Sequence, residues 1–161
     1  MHDYTSALQS HQRALAIRIK LCGEEHESTA DSYKQVGIAQ HSMHDYTSAL
    51  QSQQPQHTMH DYTSALQSHQ RALAIRIKLF GEEHESTADS YRQVGAVQTR
   101  MRDYTSALQS HQRALAICIN LFGEVHECTA DSYSELGVTQ NSMLDYISAL
   151  QSFQRALAIR I

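Results

Sequence analysis

Long apolar runs, an excess of basic residues and a glycine-rich loop are all missing from this chain of 161 residues. No apolar run approaches the roughly 20 residues that a membrane-spanning helix needs, and no charged segment with an apolar stretch opens the chain. The net charge of -4 and the pI near 6.2 leave no basic footprint for DNA or RNA. The sequence therefore predicts a protein without a membrane span, a secretion signal or a nucleic-acid partner.

Cysteine is also scarce, and its placement is irregular. Each of the three cysteines, Cys22, Cys118 and Cys128, stands where another copy of an internal repeat has a different residue type. An odd number of cysteines without regular spacing argues against a disulfide framework. We therefore expect no disulfide, a reducing compartment and a cytoplasmic location.

No pattern for catalysis is present. The serines and cysteines lack a Gly-x-Ser-x-Gly or similar context, and the six glycines are spread among turns and helices. A self-similar array would also need several identical active sites. We therefore predict that the protein is not an enzyme and binds no cofactor.

The eleven histidines form no metal-binding pattern. His41 and His44, like His57 and His60, are three residues apart, but each pair spans a turn and has no cysteine or carboxylate at zinc spacing. No metal site is predicted. Three further histidines, which we expect to form hydrogen bonds near a helix start, stand in a repeated turn: His26, His84 and His126.

What the chain does contain is one segment in several copies. The string of residues 3–21 recurs unchanged at 61–79 and nearly unchanged at 103–121. Equivalent aspartates are 42 residues apart in three intervals: Asp3 to Asp45, Asp61 to Asp103 and Asp103 to Asp145. A fixed period of this length is typical of stacked repeat proteins.

The copies form one array with an incomplete second unit. The second unit lacks the counterpart of residues 71–96, and Pro55, the only proline, should stop any helix at the join. We predict a short helix over 44–54 that packs as a hairpin against a helix over 60–79, with 55–59 as the turn; local loss of order is the alternative. The chain begins and stops inside a unit, which indicates a piece of a longer array. The predicted units are 1–42, 43–58, 59–100, 101–142 and 143–161.

Each full unit shows the pattern of two antiparallel helices. In the copy 59–100, one stripe of a helix about 20 residues long is formed by Tyr62, Leu66, His69, Leu73, Ile77 and Phe80. Asp61 is a candidate N-cap and Gly81 a candidate stop, while Ser86 caps the next helix. Gly95, Ala65 and Ala72 leave room for close helix approach. The predicted fold is all-α, an α-solenoid of antiparallel helix pairs with one truncated repeat.

The residues resemble the tetratricopeptide repeat. The spacing of aromatic, aliphatic, glycine and alanine positions in its signature is similar to that of Tyr91, Val94, Gly95, Tyr104, Ala107 and Ala114. The 42-residue period is similar to the longer kind in kinesin light chains and nephrocystin-type proteins. This resemblance implies a right-handed superhelix that binds other proteins.

Differences between the copies concentrate in the first helix of the unit. Over 28–42, 86–100 and 128–142, 8 of 15 positions differ, whereas only 5 of 27 differ over 1–27, 59–85 and 101–127. In the resembled family the first helix lines a concave groove. The positions that would face this groove are Asp31, Lys34, Ile38, His41, Asp89, Arg92, Ala96, Thr99, Asp131, Ser134, Val138 and Asn141. Lys34 and Arg92 are the predicted contacts for a ligand carboxylate, and we expect the aspartates to serve their own helix N-termini.

The predicted function is a scaffold that binds a protein or peptide ligand in this groove. Two alternatives remain: a regulatory or sensor part of a larger nucleotide-binding switch or motor-adaptor protein, or a piece of an array without function. Self-association through uncapped ends is also expected, because each end leaves a helical face open.

Overall fold

The chain is almost entirely helical in the computed structural model, which describes residues 4–50 and 58–161, with side chains for 4–43 and 62–161. The described residues contain no β-strand, and none of their helices is long and apolar enough to cross a membrane. The structure divides into two compact bodies, an N-terminal body of residues 1–79 and a C-terminal body of residues 80–161. The helices are α1 (Tyr4–Cys22), α2 (Glu27–Leu50), α3 (Thr58–Phe80), α4 (Glu85–Arg100), α5 (Tyr104–Phe122), α6 (Glu127–Ser142) and α7 (Tyr146–Arg160).

Glycine ends three of the helices, as the sequence predicts at Gly81. Gly23, Gly81 and Gly123 directly follow the last residue of α1, α3 and α5 and have φ angles of 89°, 88° and 86°. Glycine adopts this left-handed conformation without the steric cost that a Cβ atom adds. The helix stops are therefore fixed by local chemistry.

The start of α4 differs from the prediction. The helix begins at Glu85, and its N-cap is His84, whose Nδ1 accepts a hydrogen bond from the backbone N–H of Ser86 at 3.1 Å. Ser86, the predicted cap, instead lies within the first turn. The imidazole replaces it because the extended backbone of His84 (φ -136°, ψ 147°) lets the ring reach the N–H two residues on. The expected hydrogen bond of this histidine near the helix start is confirmed.

The boundaries of α2 and α3 also differ. In the C-terminal body Arg102 and Leu144, with φ angles of 62° and 65°, follow the ends of α4 and α6. A left-handed conformation costs a residue other than glycine about 1 kcal/mol or more. At the equivalent position, His44, helix α2 continues and avoids that cost. A separate helix beginning at residue 44 is therefore wrong.

The region after α2 is described only in part. Residues 51–57 and the side chains of 44–61 lie outside the described part of the chain, and so does the predicted hairpin contact of 44–54. Residues 58 and 59, predicted as part of the turn, are helical in α3. Asp61 consequently lies inside α3, whereas its equivalents Asp103 and Asp145 cap α5 and α7.

Helix pairs are held together by the same contacts in both bodies. A Cβ atom added to Gly37 would come within 2.7 Å of the His69 ring, and one added to Gly95 within 2.7 Å of the His111 ring. The packing role predicted for Gly95 is therefore confirmed. A serine on the second helix also donates a hydrogen bond to a glutamine on the first: Ser68 to Gln40, Ser110 to Gln98 and Ser152 to Gln140. The paired helices are thus α2 with α3, α4 with α5 and α6 with α7.

The pair α2 and α3 uses these contacts at a larger sequence separation. Ser68 and Gln40 are 28 positions apart in the sequence, whereas Ser110 and Gln98 are 12 positions apart. The difference equals the length of the segment 43–58. In the sequence, that segment therefore lies between the contact residues Gln40 and Ser68, and its residues 43–50 belong to α2. The division into five units stays a prediction.

A disulfide joins Cys118 on α5 to Cys128 on α6, with Cα atoms 5.7 Å apart. The expectation of no disulfide is therefore wrong. The two positions, ten residues apart, face each other across the turn between the helices. Arg18 and Ser28 occupy the equivalent repeat positions in the N-terminal body. They are also in contact there, because Arg18 donates a hydrogen bond to the carbonyl oxygen of Ser28 at 3.1 Å.

Candidate binding groove

The first helices of two successive pairs lie side by side in the C-terminal body. Helix α4 packs against α6 as well as against its own partner α5. The hydroxyl groups of Thr99 and Thr139 are 2.8 Å apart, and Arg92 forms an ion pair with Asp131 at 3.3 Å. The ion pair joins two of the predicted groove residues, whereas Thr139, the partner of Thr99, is fully buried and is not one of them. We call this surface the α4–α6 groove.

The twelve predicted groove residues are divided between the two bodies. All of them are exposed or half-buried. Four lie on α2 in the N-terminal body: Asp31, Lys34, Ile38 and His41. Eight lie on α4 and α6 in the C-terminal body: Asp89, Arg92, Ala96, Thr99, Asp131, Ser134, Val138 and Asn141.

Arg92 occupies the centre of the charged part of the α4–α6 groove. Its guanidinium lies 3.4 Å from the carboxylate of Asp89 and 3.3 Å from that of Asp131. Arg160 of α7 lies 2.6 Å from the other oxygen of Asp131. Asp131 is therefore shared between two arginines, and Arg92 between two aspartates.

Glu135 adds a third carboxylate to this cluster. Burial raises the pKa of Glu135, Arg92 acts to lower it, and Asp131 acts to raise it further. Three carboxylates and two guanidinium groups thus lie together. The groove is not a simple basic site, and a ligand carboxylate has to compete with Asp89 and Asp131 for Arg92.

The aspartates have arginine partners that the sequence analysis did not identify. Asp31 pairs with Arg76 of α3 at 2.7 Å, as Asp131 pairs with Arg160 of α7. Arg76 and Arg160 occupy the same position of the repeat, where α5 has Cys118. The recurrence of arginine at this position was the available signal. Asp89 lacks such an arginine on α5 and pairs with Arg92 of its own helix.

The α2 part of the predicted groove has a different surface. The ring of His41 meets the edge of Tyr62 on α3, with centroids 5.6 Å apart and planes at 61°. Lys34 and Ile38 are half-buried beside it on the same helix. The two parts therefore differ: the α2 part combines the ion pair of Asp31 with an aromatic contact of His41, whereas the α4–α6 groove has a network of several charged groups.

Among the described residues no group of three or more histidines, cysteines, aspartates or glutamates is arranged to hold a metal ion. The pairs His41 with His44 and His57 with His60 include side chains outside the described part of the chain. His26 and His126 accept hydrogen bonds from the backbone N–H of Ser28 and Cys128, as His84 does from Ser86. Their role is to cap helices.

Exposure alone does not explain where the copies differ. Six of the eight varied positions of the first helix are never buried, but α1, α3 and α5 also have exposed positions that do not change. Six such exposed positions are identical in all three helices, as in Thr63, Gln67, Gln70, Arg71, Ala74 and Leu79 of α3. Variation is therefore concentrated on the exposed side of the first helices, where the predicted groove lies.

Comparison with known proteins agrees with this architecture. A sequence model of the family described as Tetratricopeptide repeat matches residues 1–54, 56–119 and 91–161. A search of curated proteins returns no match.

Solved structures with a similar fold include BtubC (BKLC) from P. vanneervenii, with a TM-score of 0.79 and 22% identity over 98% of this chain. This chain spans 56% of the BtubC chain. A putative kinesin light chain of Podosopora anserina with nearly identical TPR-like repeats has a TM-score of 0.55 and 17% identity. That match covers 98% of this chain and 87% of the other. At these identities the likeness concerns the fold.

Proposed function

Because the chain belongs to the tetratricopeptide repeat family, we propose that it is a protein-interaction scaffold without catalytic activity. The ligand is a peptide or partner domain that binds the first helices of the pairs. The α4–α6 groove of the C-terminal body and the side of α2 that carries the predicted residues in the N-terminal body are each a proposed binding surface. The twelve residues from Asp31 to Asn141 that the sequence singles out are its proposed contacts.

One observation carries the proposal. Six exposed or half-buried positions of the first helices vary between copies, whereas six of the seven positions that are exposed in all three second helices α1, α3 and α5, such as that of Gln67 and Gln109, do not. Drift without selection would change both kinds of exposed position alike. A constant support under a varied surface is the arrangement that recognition of an irregular ligand requires.

The ion pairs suggest how an acidic ligand side chain would bind. A ligand carboxylate that takes the guanidinium of Arg92 displaces Asp131, which keeps its second partner, Arg160, at 2.6 Å. Asp131 is then not left without a cation. Binding exchanges one charge-assisted hydrogen bond for another, so its net free energy comes from the additional contacts along the groove.

The test begins with a peptide selected from a random library against the immobilised full chain. The double variant Lys34→Ala and Arg92→Ala is expected to weaken binding of a selected acidic peptide at least tenfold, measured by fluorescence anisotropy. Helicity by circular dichroism should stay unchanged. The matched control is Arg13→Ala with Arg113→Ala, one exposed arginine of a second helix in each body.

Two outcomes contradict the proposal. One is unchanged affinity in the Lys34 and Arg92 variant. The other is an equal loss of affinity in the Arg13 and Arg113 control, since that would mean only a general effect of charge.

Two further expectations stay part of the proposal. The first is a cytoplasmic location without nucleic-acid or membrane partners, which rests on the charge and hydropathy of the sequence. The disulfide between Cys118 and Cys128 counts against a reducing compartment. Self-association rests on exposed helix faces at the two ends.

A further inference from the structure

Glu135 is a half-buried residue on the side of α6 that faces α4. It lies four residues after Asp131 and four before Thr139, and both of these residues contact side chains of α4. Side chains four residues apart lie on one side of a helix. Glu135 is therefore between the ion pair and the pair of hydroxyl groups that join the two helices.

Helix α4 offers no polar side chain opposite Glu135. The ion pair joins residues 39 positions apart in the sequence, and the hydroxyl pair joins residues 40 apart, so the two helices run in the same direction. Midway between these contacts, the residues of α4 beside Glu135 are Gly95 and Ala96. Among the residues that the structure describes, none forms a hydrogen bond or an ion pair with the Glu135 carboxylate.

The other charged groups of the groove already have partners. Arg92 pairs with Asp89 and Asp131, and Arg160 pairs with Asp131, so two guanidinium groups balance two carboxylates. Glu135 is the excess negative charge of this cluster. Burial raises its pKa because removal of a carboxylate from water disfavours the ionised form. A cation beside it would offset part of the lost hydration.

The negative charge at this position is specific to α6. The equivalent residues of α2 and α4 are Gln35 and Gln93, which have nearly the same shape and no charge. Glutamine is therefore compatible with the packing of this position. The copies thus supply a neutral replacement that removes only the charge.

We propose that the ligand of the α4–α6 groove carries a lysine or arginine side chain that pairs with Glu135. The inference rests on the proposed function and adds the charge that the ligand must bring. Glu135 is then a specificity-determining residue, because a carboxylate without a cation repels an acidic group at this point of the ligand.

The geometry also sets a spacing within the ligand. Glu135 lies four residues beyond Asp131, the partner of Arg92, which is about 6 Å along the helix at 1.5 Å per residue. Two residues of an extended chain span about 6.6 Å and direct their side chains to the same side. An extended ligand should therefore have its basic residue two positions from the acidic residue that binds Arg92.

Peptides selected from a random library test the inference, with the full chain and Glu135→Gln immobilised in parallel. Peptides from the unaltered chain should contain Lys or Arg two positions from Asp or Glu, and peptides from the variant should not. In one such peptide, replacement of the basic residue by glutamine should weaken binding to the unaltered chain at least tenfold by fluorescence anisotropy. The same replacement should change binding to Glu135→Gln less than twofold.

The matched control is Glu127→Gln, which removes the same charge from an exposed position in the first turn of the same helix. This variant should discriminate between the two peptides as the unaltered chain does. Helicity by circular dichroism should be the same in both variants and the unaltered chain.

Two results would overturn the inference alone. One is equal weakening on the unaltered chain and on Glu135→Gln when the basic residue is replaced, and the other is a Glu127→Gln variant that behaves like Glu135→Gln. Either can occur while Lys34→Ala with Arg92→Ala still weakens binding, so the proposed function would stand. A library that yields no binding peptide would contradict the proposed function and, with it, this inference.

Discussion

The ring of His111 on α5 lies so close to Gly95 on α4 that a Cβ atom added to the glycine would come within 2.7 Å of it. In the next pair Phe153 takes the place of the histidine over Gly137, where the corresponding distance is 2.8 Å. One position of the repeat therefore accepts either ring, provided that a glycine lies opposite. This relationship gives both a packing prediction and a pH prediction.

Gly95→Ala should destabilise the chain by about 1 to 2 kcal/mol. Alanine gains up to about 1 kcal/mol in helix propensity, but its methyl group forces the buried His111 ring to move, and overpacking of this kind costs about 1 to 3 kcal/mol. Gly95→Leu adds more volume and should unfold the local helix pair. Urea denaturation followed by far-UV circular dichroism measures both effects.

A double-mutant cycle separates packing from helix propensity. His111→Ala removes the ring, so Gly95→Ala should be neutral or stabilising in that background. If Gly95→Ala costs the same free energy with and without the ring, the contact between Gly95 and His111 does not limit packing.

Stability should fall as the pH is lowered through the range below 6.5. Burial lowers the pKa of His111 from 6.5 to about 4, with the Gly95 backbone acting in the opposite direction and the nearby Arg92 in the same one. Because the folded-state pKa is lower, the unfolded state binds a proton between these values that the folded state does not. The resulting loss in the free energy of unfolding is absent above pH 6.5 and reaches about 3 kcal/mol near pH 4.

His111→Phe tests this assignment with the side chain that the protein itself uses at Phe153. Urea denaturation at several pH values should give a smaller loss of stability between pH 7 and pH 4 in the variant. The difference between the two chains isolates His111 from the other histidines. An identical pH dependence in both would show that His111 does not cause it.

Periodicity predicted the helix pairs because the spacing of an apolar stripe such as Tyr62, Leu66 and Leu73 depends only on helix geometry. It did not predict the helix starts, because the imidazole of His84 competes with the Ser86 hydroxyl for the same N–H groups and only the backbone conformation decides between them. It also missed the continuation of α2 past residue 43, because the copies have a turn at the equivalent residues Arg102 and Leu144.

The twelve groove positions follow from the resemblance to the tetratricopeptide repeat and stay a prediction, and the partners of their side chains could not be predicted from the sequence. Whether Asp131 faces its own helix terminus or an arginine depends on where α7 places Arg160, which is a tertiary distance. The disulfide was missed for the same reason. Cys118 and Cys128 look unrelated in the sequence and meet because the turn between α5 and α6 brings their positions together.

Reduction of the bond between Cys118 and Cys128 should lower the stability of the chain by about 2 to 3 kcal/mol, the loop-closure contribution for a loop of ten residues. Chain purified without reductant and then denatured should show one reactive thiol, Cys22, and three after reduction. Thermal melts with and without dithiothreitol measure the change in stability. Three reactive thiols before reduction would mean that the bond does not form.

The equivalent residues of the N-terminal body supply a matched control variant for this disulfide. The variant Cys118→Arg with Cys128→Ser has the residue types of Arg18 and Ser28, which are the equivalent residues of the N-terminal body. There the arginine donates a hydrogen bond to the serine carbonyl oxygen. An arginine at position 118 also occupies the position from which Arg76 and Arg160 reach Asp31 and Asp131, so it can bond to Asp89 instead. The variant should fold and melt at one temperature regardless of reductant. A variant that stays sensitive to dithiothreitol would mean that reductant acts somewhere other than this bond.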